Sequence, residues 1–170
     1  NAMTQREVID KLVEASQAGV QVQLILRGIC CMRPGIAAQT ENVHVTSIVG
    51  RYLEHSRIYR FGRGKDIQLF IASADLMTRN LDHRVEIACP VYDPEVREML
   101  LKILHTQLED NVKASSLLPD GSYCRKVNTL QPCSSQEVFM AETLHRRPAA
   151  PAEKPDALHR LLDGLWGRKK

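Results

Sequence analysis

Residues 53–80 decide how this chain is read: Leu53-Glu54-His55-Ser56-Arg57-Ile58-Tyr59-Arg60-Phe61, then Gly62-Arg63-Gly64-Lys65-Asp66, then Ile67-Gln68-Leu69-Phe70-Ile71-Ala72, closing on Ser73-Ala74-Asp75-Leu76-Met77-Thr78-Arg79-Asn80. The pattern predicts a strand over 58–61, a charged glycine turn over 62–66 and a second strand over 67–72. His55 and Arg57 open the first strand, and Ser73, Asp75 and Asn80 lie at the far end of the second. Alternate side chains of a strand share a face, so His55 and Arg57 are expected to point the same way. A group that titrates near neutrality beside a permanent cation suits phosphate chemistry. A surface histidine next to a solvated arginine is the plainer reading, and this stretch alone leaves both open.

On the N-terminal side, residues 4–18 predict an amphipathic helix. Val8, Ile9, Leu12, Val13 and Ala15 form its apolar stripe, Thr4 and Glu7 have the spacing of a capping box, and Gly19 stands at the C-terminal cap. Residues 20–26 follow as a buried strand ending at Arg27-Gly28. Ligands of open α/β sheets gather beyond the carboxyl ends of strands, which makes Arg27 a candidate. An arginine that merely closes a strand is the alternative. Residues 29–40 read as a loop containing Cys30-Cys31, and residues 43–48 as an alternating strand with Val43, Val45 and Ser47 on one face. Residues 50–54 are a short turn or helix.

On the other side, residues 83–91 predict a strand with Val85, Ile87, Cys89 and Val91 on one face. Asp93-Pro94 then opens a helix running to about residue 111, since aspartate caps and proline has no N–H to leave unpaired at the first helical position. Residues 119–122 form a turn and 123–127 a short strand. Ser134 to Glu137 can cap a helix reaching His145. Residues 146–156 have the Pro/Ala composition of a linker, and 157–166 the apolar spacing of a short helix. The order of elements indicates an α/β layered fold with a mixed sheet flanked by helices.

A chain of 170 residues, 44% hydrophobic, can bury one core, and no apolar run reaches the ~20 residues that span a bilayer. Asn1-Ala2 ahead of Met3 reads as the remnant of a cleaved tag, which leaves the natural chain free to extend upstream. Five cysteines without metal-ligand spacing fit a reducing compartment, with the cytoplasm as the default. The net charge is only +3, but nine Lys/Arg against six Asp/Glu fall between Arg27 and Glu86, so the whole surplus lies there. That placement suggests an anionic ligand, while the small total and an aromatic content of 5% speak against non-specific nucleic-acid binding.

Two family resemblances meet in the opening stretch. His55-Ser56-Arg57, Ala72-Ser73-Ala74-Asp75 and Glu86 resemble the His-x-Lys, Gly-Ser-x-Asn and downstream Glu of the phospholipase D superfamily. Arg57 stands for the lysine, Gly62 for a later aspartate and Asp75 for the asparagine, so the fold is implied and phosphodiester cleavage is not. The closer resemblance is to bacterial polyphosphate kinases. It rests on Leu-Ile-Leu-Arg-Gly-Ile-Cys-Cys-Met-Arg-Pro-Gly (24–35), Ser-Ile-Val-Gly-Arg-Tyr-Leu-Glu-His-Ser-Arg-Ile (47–58) and Ser-Ala-Asp-Leu-Met-Thr-Arg-Asn-Leu-Asp-His-Arg-Val-Glu (73–86). It continues at Asp110-Asn111-Val112-Lys113-Ala114 and Leu118-Pro119-Asp120-Gly121-Ser122-Tyr123.

That resemblance implies a phospholipase D-like domain over residues 4–130, after the start at 1–3, with 131–170 as an extension. It implies that Arg27, His55 and Arg84 bind the ATP phosphates and that His55 assists catalysis. Arg57, Ser73 and Asn80 are further candidates for phosphate contact. The phosphorylated histidine of the family lies in a preceding domain, so this chain would supply half of an active site and be inactive alone. Magnesium would accompany the ATP on ligands outside these residues, and no metal site is expected here. The expected partners are ATP or ADP, polyphosphate and the upstream domains, with a homo-oligomer left open and no specific nucleic acid. Two alternatives stand beside this reading: a phospholipase D-type phosphodiesterase that completes its site by dimerising, and a non-catalytic polyphosphate-binding module.

Overall fold

The computed structural model describes residues 1–127 and 131–145. The predicted linker (146–156) and terminal helix (157–166) lie outside the described residues. Packing divides the chain into two compact units, Asn1–Phe139 and Met140–Lys170. All that follows concerns the first.

Helix α1 (Arg6–Gln17) lays Val8, Ile9, Leu12 and Val13 on a core of Met3, Leu26, Met32, Val43, Val45 and Leu117. The expected capping box does not form. Gln5 is the N-cap, and its amide instead donates to Glu7 (2.6 Å) and Asp82 (3.2 Å), while the Thr4 and Gln5 N–H groups donate to the Leu76 carbonyl. The other end matches expectation: Gly19, at φ +81°, lets its own N–H reach the Ser16 carbonyl and that of Val20 reach Ala15. This is the paired closure that a left-handed glycine permits.

Strand β1 (Val22–Ile25) pairs in parallel with β2 (Val43–Ile48), and β2 pairs antiparallel with β6 (Ala114–Leu117), which pairs with β7 (Tyr123–Arg125). This is the expected mixed sheet. Being interior to it, β2 buries Thr46 and Ile48 as well as Val43 and Val45, so the alternation read from its sequence is only partly kept. A second, antiparallel sheet holds β3 (Ile58–Phe61), β4 (Gln68–Ala72) and β5 (Ala88–Pro90). The β3–β4 turn needs Gly62: its φ is +82°, and a Cβ there would come 2.4 Å from the Asp66 carbonyl oxygen.

Strand β5 is much shorter than the stretch 83–91 suggested. Val85 is fully exposed and Ile87 largely so, because residues 82–87 run as a loop that turns Glu86 back towards Ser73. Short helix α2 (Thr78–Leu81) precedes that loop. Helix α3 (Pro94–Glu109) begins as predicted, with Asp93 accepting from the Val96 N–H at 3.0 Å, and packs Leu100, Leu101 and Ile103 over Leu69 and Val91. Helix α4 (Ser135–His145) follows the second half of the larger sheet.

One buried carboxylate ties the end of α3 to the start of α4. Asp110 accepts from the N–H groups of Val112, Lys113 and Ala114 on one oxygen, and from the N–H and hydroxyl of Ser135 on the other. Burial works to raise its pKa, but these donors outweigh it and hold the carboxyl below its ordinary value. The N-terminal residues are woven in as well. Met3 is fully buried and bridges Cys30 and Leu76, and the Asn1 carbonyl accepts from the Arg27 and Gly28 N–H groups.

Candidate functional site

The strand order carries His55 and Arg57 to the start of β3, where the end of β4 delivers Ser73 and Asp75. Arg57 Nε donates to Asp75 Oδ1 at 2.8 Å, and Arg57 Nη2 lies 3.1 Å from His55 Nε2. The Asn1 amide completes the line, donating to the same Asp75 oxygen at 2.6 Å. Arg57 and Asp75 are nearly buried side chains, whereas the His55 ring is exposed. Burial pushes the Asp75 carboxyl up, yet the Arg57 and Asn1 hydrogen bonds prevail and its pKa falls below the usual value. The same hydrogen bond raises that of Arg57. The product is a rigidly seated guanidinium with a histidine held against it at the surface.

A second network sits beside the first. Glu86 accepts from the Ser73 hydroxyl and, at 2.6 Å, from Asn80 Nδ2, while the Ser73 oxygen accepts from the Ile87 N–H. Those hydrogen bonds, the Ser73 one foremost, lower the Glu86 pKa, and the charges of Arg84 and Arg57 act in the same direction. Ser73 and Asn80 are therefore engaged with Glu86 rather than turned towards a ligand. Asn80 Oδ1 is buried with no partner among the described residues, and as an acceptor it has nothing to offer a phosphate. Arg84 is exposed and, among the described residues, makes no ion pair or hydrogen bond.

Arg27 follows β1 and reaches the site through its backbone and side chain together. Its N–H donates to the Asn1 carbonyl, and its Nε donates to the Glu54 carbonyl at 2.7 Å, one residue before His55. The loop 50–54, expected as a turn or short helix, contains bends and no helix. Its conformation is set by a clamp that sequence reasoning missed. Gln136 pairs with Tyr52 in both directions, accepting from its N–H and donating to its carbonyl, and also donates to Glu54 Oε1 at 2.7 Å. Gln107 donates to the other Glu54 oxygen at 2.8 Å. Two glutamines distant in sequence give no local signal; the one clue was Gly50, where a Cβ would come 2.5 Å from Gln136 Oε1.

Arg27, His55, Arg57, Ser73 and Asn80 are thus brought together, with Asp75, Glu86 and Asn1 as the groups that seat them. A guanidinium fork, a histidine and a second fixed guanidinium can neutralise phosphate oxygens and move a proton near neutral pH. Among the described residues no group of three or more His, Cys, Asp or Glu side chains is arranged to hold a metal ion, and no helix is long and apolar enough to cross a membrane.

Comparison with known proteins gives one consistent result. The family model described as polyphosphate kinase C-terminal domain 2 matches residues 1–136. A polyphosphate kinase of Staphylococcus epidermidis is 43% identical over 175 aligned residues, covering 99% of this chain and 24% of the relative. One of Bacillus cereus is 50% identical over 128 residues, covering 75% of this chain and 18% of its own length. The crystal structure of polyphosphate kinase from Porphyromonas gingivalis superposes with a TM-score of 0.80 at 42% identity, covering 85% of this chain and 22% of that one. The layered α/β fold is thus the phospholipase D-like one expected, and the chain spans about a quarter or less of the relatives it matches. Together these matches show that the chain belongs to the polyphosphate kinase C-terminal domain 2 family.

Proposed function

We propose that this domain binds the phosphates of ATP and assists their transfer to and from polyphosphate, as one half of an active site completed by upstream domains. The observation that carries the reading is the exposed His55 ring held against Arg57, which Asp75 fixes from behind. Phosphoryl transfer depends on positioning and on neutralising charge spread over the phosphate oxygens. Arg27 and Arg57 supply fixed positive charge, and His55 supplies a group that can donate or accept a proton as the bond to phosphorus changes. Glu86, seated by Ser73 and Asn80, holds the local field in which Arg84 sits.

The carboxylates of the site do not fit a metal ion: Asp75 is taken by Arg57 and Asn1, and Glu86 by Ser73 and Asn80. Magnesium is therefore assigned to the nucleotide, as part of the substrate. The histidine that becomes phosphorylated is assigned to an upstream domain, through a phosphohistidine intermediate. The extension from 131 onward is read as a separate segment in function, although residues 131–136 are anchored through Asp110 and Asn111. Five unpaired cysteines support a reducing, cytoplasmic setting.

The test is binding without turnover. Titrated with magnesium ATP, the isolated chain should bind it, and incubation with terminally labelled ATP should leave the chain unlabelled. Acid-labile, base-stable label on this chain would overturn the assignment of the accepting histidine. Hydrolysis of a simple phosphodiester by the chain alone would favour the phosphodiesterase alternative instead.

A further inference from the structure

The larger sheet carries a second cationic surface that the transfer site does not use. A cleft of about 380 Å³ is lined by Arg27, Lys113 and Arg125 together with the hydroxyl-bearing Ser47, Ser115 and Tyr123. The strand register explains why they converge. Ser47 stands opposite Ser115, and Ser115 opposite Arg125, so the three form a row across β2, β6 and β7 on one face of the sheet. Directly opposed residues lie within side-chain reach of each other. Tyr123 is two residues from Arg125 and shares its face, and Lys113 is two residues before Ser115. Arg27, just past β1, closes the end of the row nearest His55.

The chemistry of this lining is one-sided. It contains three cations, three hydroxyls and no carboxylate. Arg125 is held in place by donating to the Lys113 carbonyl at 2.7 Å and the Val112 carbonyl at 3.3 Å. Arg27 is held by its Nε on Glu54. Among the described residues no acidic side chain pairs with Arg27, Lys113 or Arg125. Cations that gather without counter-charges repel one another, and an anionic ligand relieves that repulsion. A row of donors spaced across strands suits a linear chain of phosphates, each offering oxygens at regular intervals. The lining offers one aromatic ring, Tyr123, so bases would find little to stack on.

We propose that this cleft is a subsite for linear oligo- or polyphosphate, with Arg27 at the junction between the chain held in the cleft and the phosphate presented to His55. This rests on the functional reading above, which it extends from the reacting phosphate to the body of the polymer. Lys113, Ser115 and Arg125 then grip phosphates that do not react, and so govern polymer affinity without touching the nucleotide.

The experiment is a parallel titration of the 170-residue chain with inorganic tripolyphosphate, with long-chain polyphosphate and with magnesium ATP, for wild type, Lys113→Glu and Ser115→Asp. Both substitutions fall on side chains outside the hydrophobic core, and melting curves of each variant verify the fold. The expected result is a loss of tenfold or more in long-chain polyphosphate affinity, with ATP affinity changed by less than about twofold and the salt slope of polymer binding reduced by about one charge. Polymer affinity unchanged in both folded variants, with ATP still bound, would overturn the subsite and leave the transfer-site reading standing. Equal losses for ATP and polymer would also overturn it, because the cleft would then act only as a diffuse field. If the wild-type chain binds neither ligand, both readings fall together.

Discussion

Replacing Gln136 by alanine removes three hydrogen bonds from the loop that leads into His55: Tyr52 N–H to Oε1 at 3.0 Å, Nε2 to the Tyr52 carbonyl at 2.8 Å, and Nε2 to Glu54 Oε1 at 2.7 Å. Two are neutral and contribute about 1 kcal/mol each, while the one ending on a carboxylate contributes about 1.5–3 kcal/mol. Tyr52 is exposed, so water can restore part of the loss, which leaves an expected destabilisation of about 2–4 kcal/mol. For a chain of this size that lowers the melting midpoint by roughly 4–16 °C. Gln136→Glu should be at least as damaging near neutrality, because it sets a second carboxylate against Glu54, and should recover as one of the two takes up a proton in acid. Gly50→Ala tests the same clamp from the other side, since its Cβ would fall 2.5 Å from Gln136 Oε1. In the alanine background at 136 that clash is gone, so the double variant should be markedly less destabilised than the sum of the singles. Because the Glu54 carbonyl accepts from Arg27, ATP affinity should weaken several-fold in Gln136→Ala although no phosphate ligand has been altered. Thermal melts of the four proteins with parallel ATP titrations read all of this. A midpoint within about 1 °C of wild type, with additive singles, would refute the clamp.

Other perturbations follow from the same geometry. Asp75 and Asp110 both have lowered pKa values, so their stabilisation is complete above the ordinary carboxylate pKa of about 3.9 and is lost as pH falls through the lowered values. Melting midpoints should therefore drop below about pH 4, and Asp110→Asn should lower the neutral plateau and flatten that acid fall; parallel curves for the two proteins would contradict this. Arg27→Lys keeps the charge but loses the fork and the Nε donor, and should lower ATP affinity about tenfold in a binding titration while costing about 1 kcal/mol of stability. In the full-length enzyme, His55→Ala should slow phosphoenzyme formation by about 10²–10⁴-fold. Its melting midpoint should barely move, because the exposed ring touches only Arg57; a normal rate would remove His55 from the mechanism.

The opening stretch was legible because its information is local. Ile58–Phe61 and the turn glycine at 62 appear as read, and His55 and Arg57 meet as two residues flanking one strand start should. Asp93 with Pro94 and the Gly19 closure were equally readable, each being a capping device confined to a few neighbours. The stretch 83–91 was misread because its apolar alternation reported exposed side chains, whereas Glu86 takes the backbone out of the sheet to meet Ser73 and Asn80. Periodicity carries no information on such a hook. The Gln136 and Asp110 anchors were invisible for a related reason: each joins segments far apart in the chain through a single polar side chain. The family motif at 110–114 contained Asp110 without revealing that its task is to receive Ser135.

The separation of the strands into two sheets also sets an order of assembly during synthesis. The meander β3–β4–β5 joins strands that are neighbours in the chain, so it can pair as soon as Pro90 has left the ribosome. Strand β2 must wait for β6, which is translated only after the whole meander and α3. Closing that longer loop is the slower event, since the chain must lose more freedom before any pairing rewards it. The nascent protein therefore finishes the hairpin bearing His55, Arg57 and Asp75 while one edge of β2 is still unpaired. The interval between the two is when that edge is open to pairing with another chain.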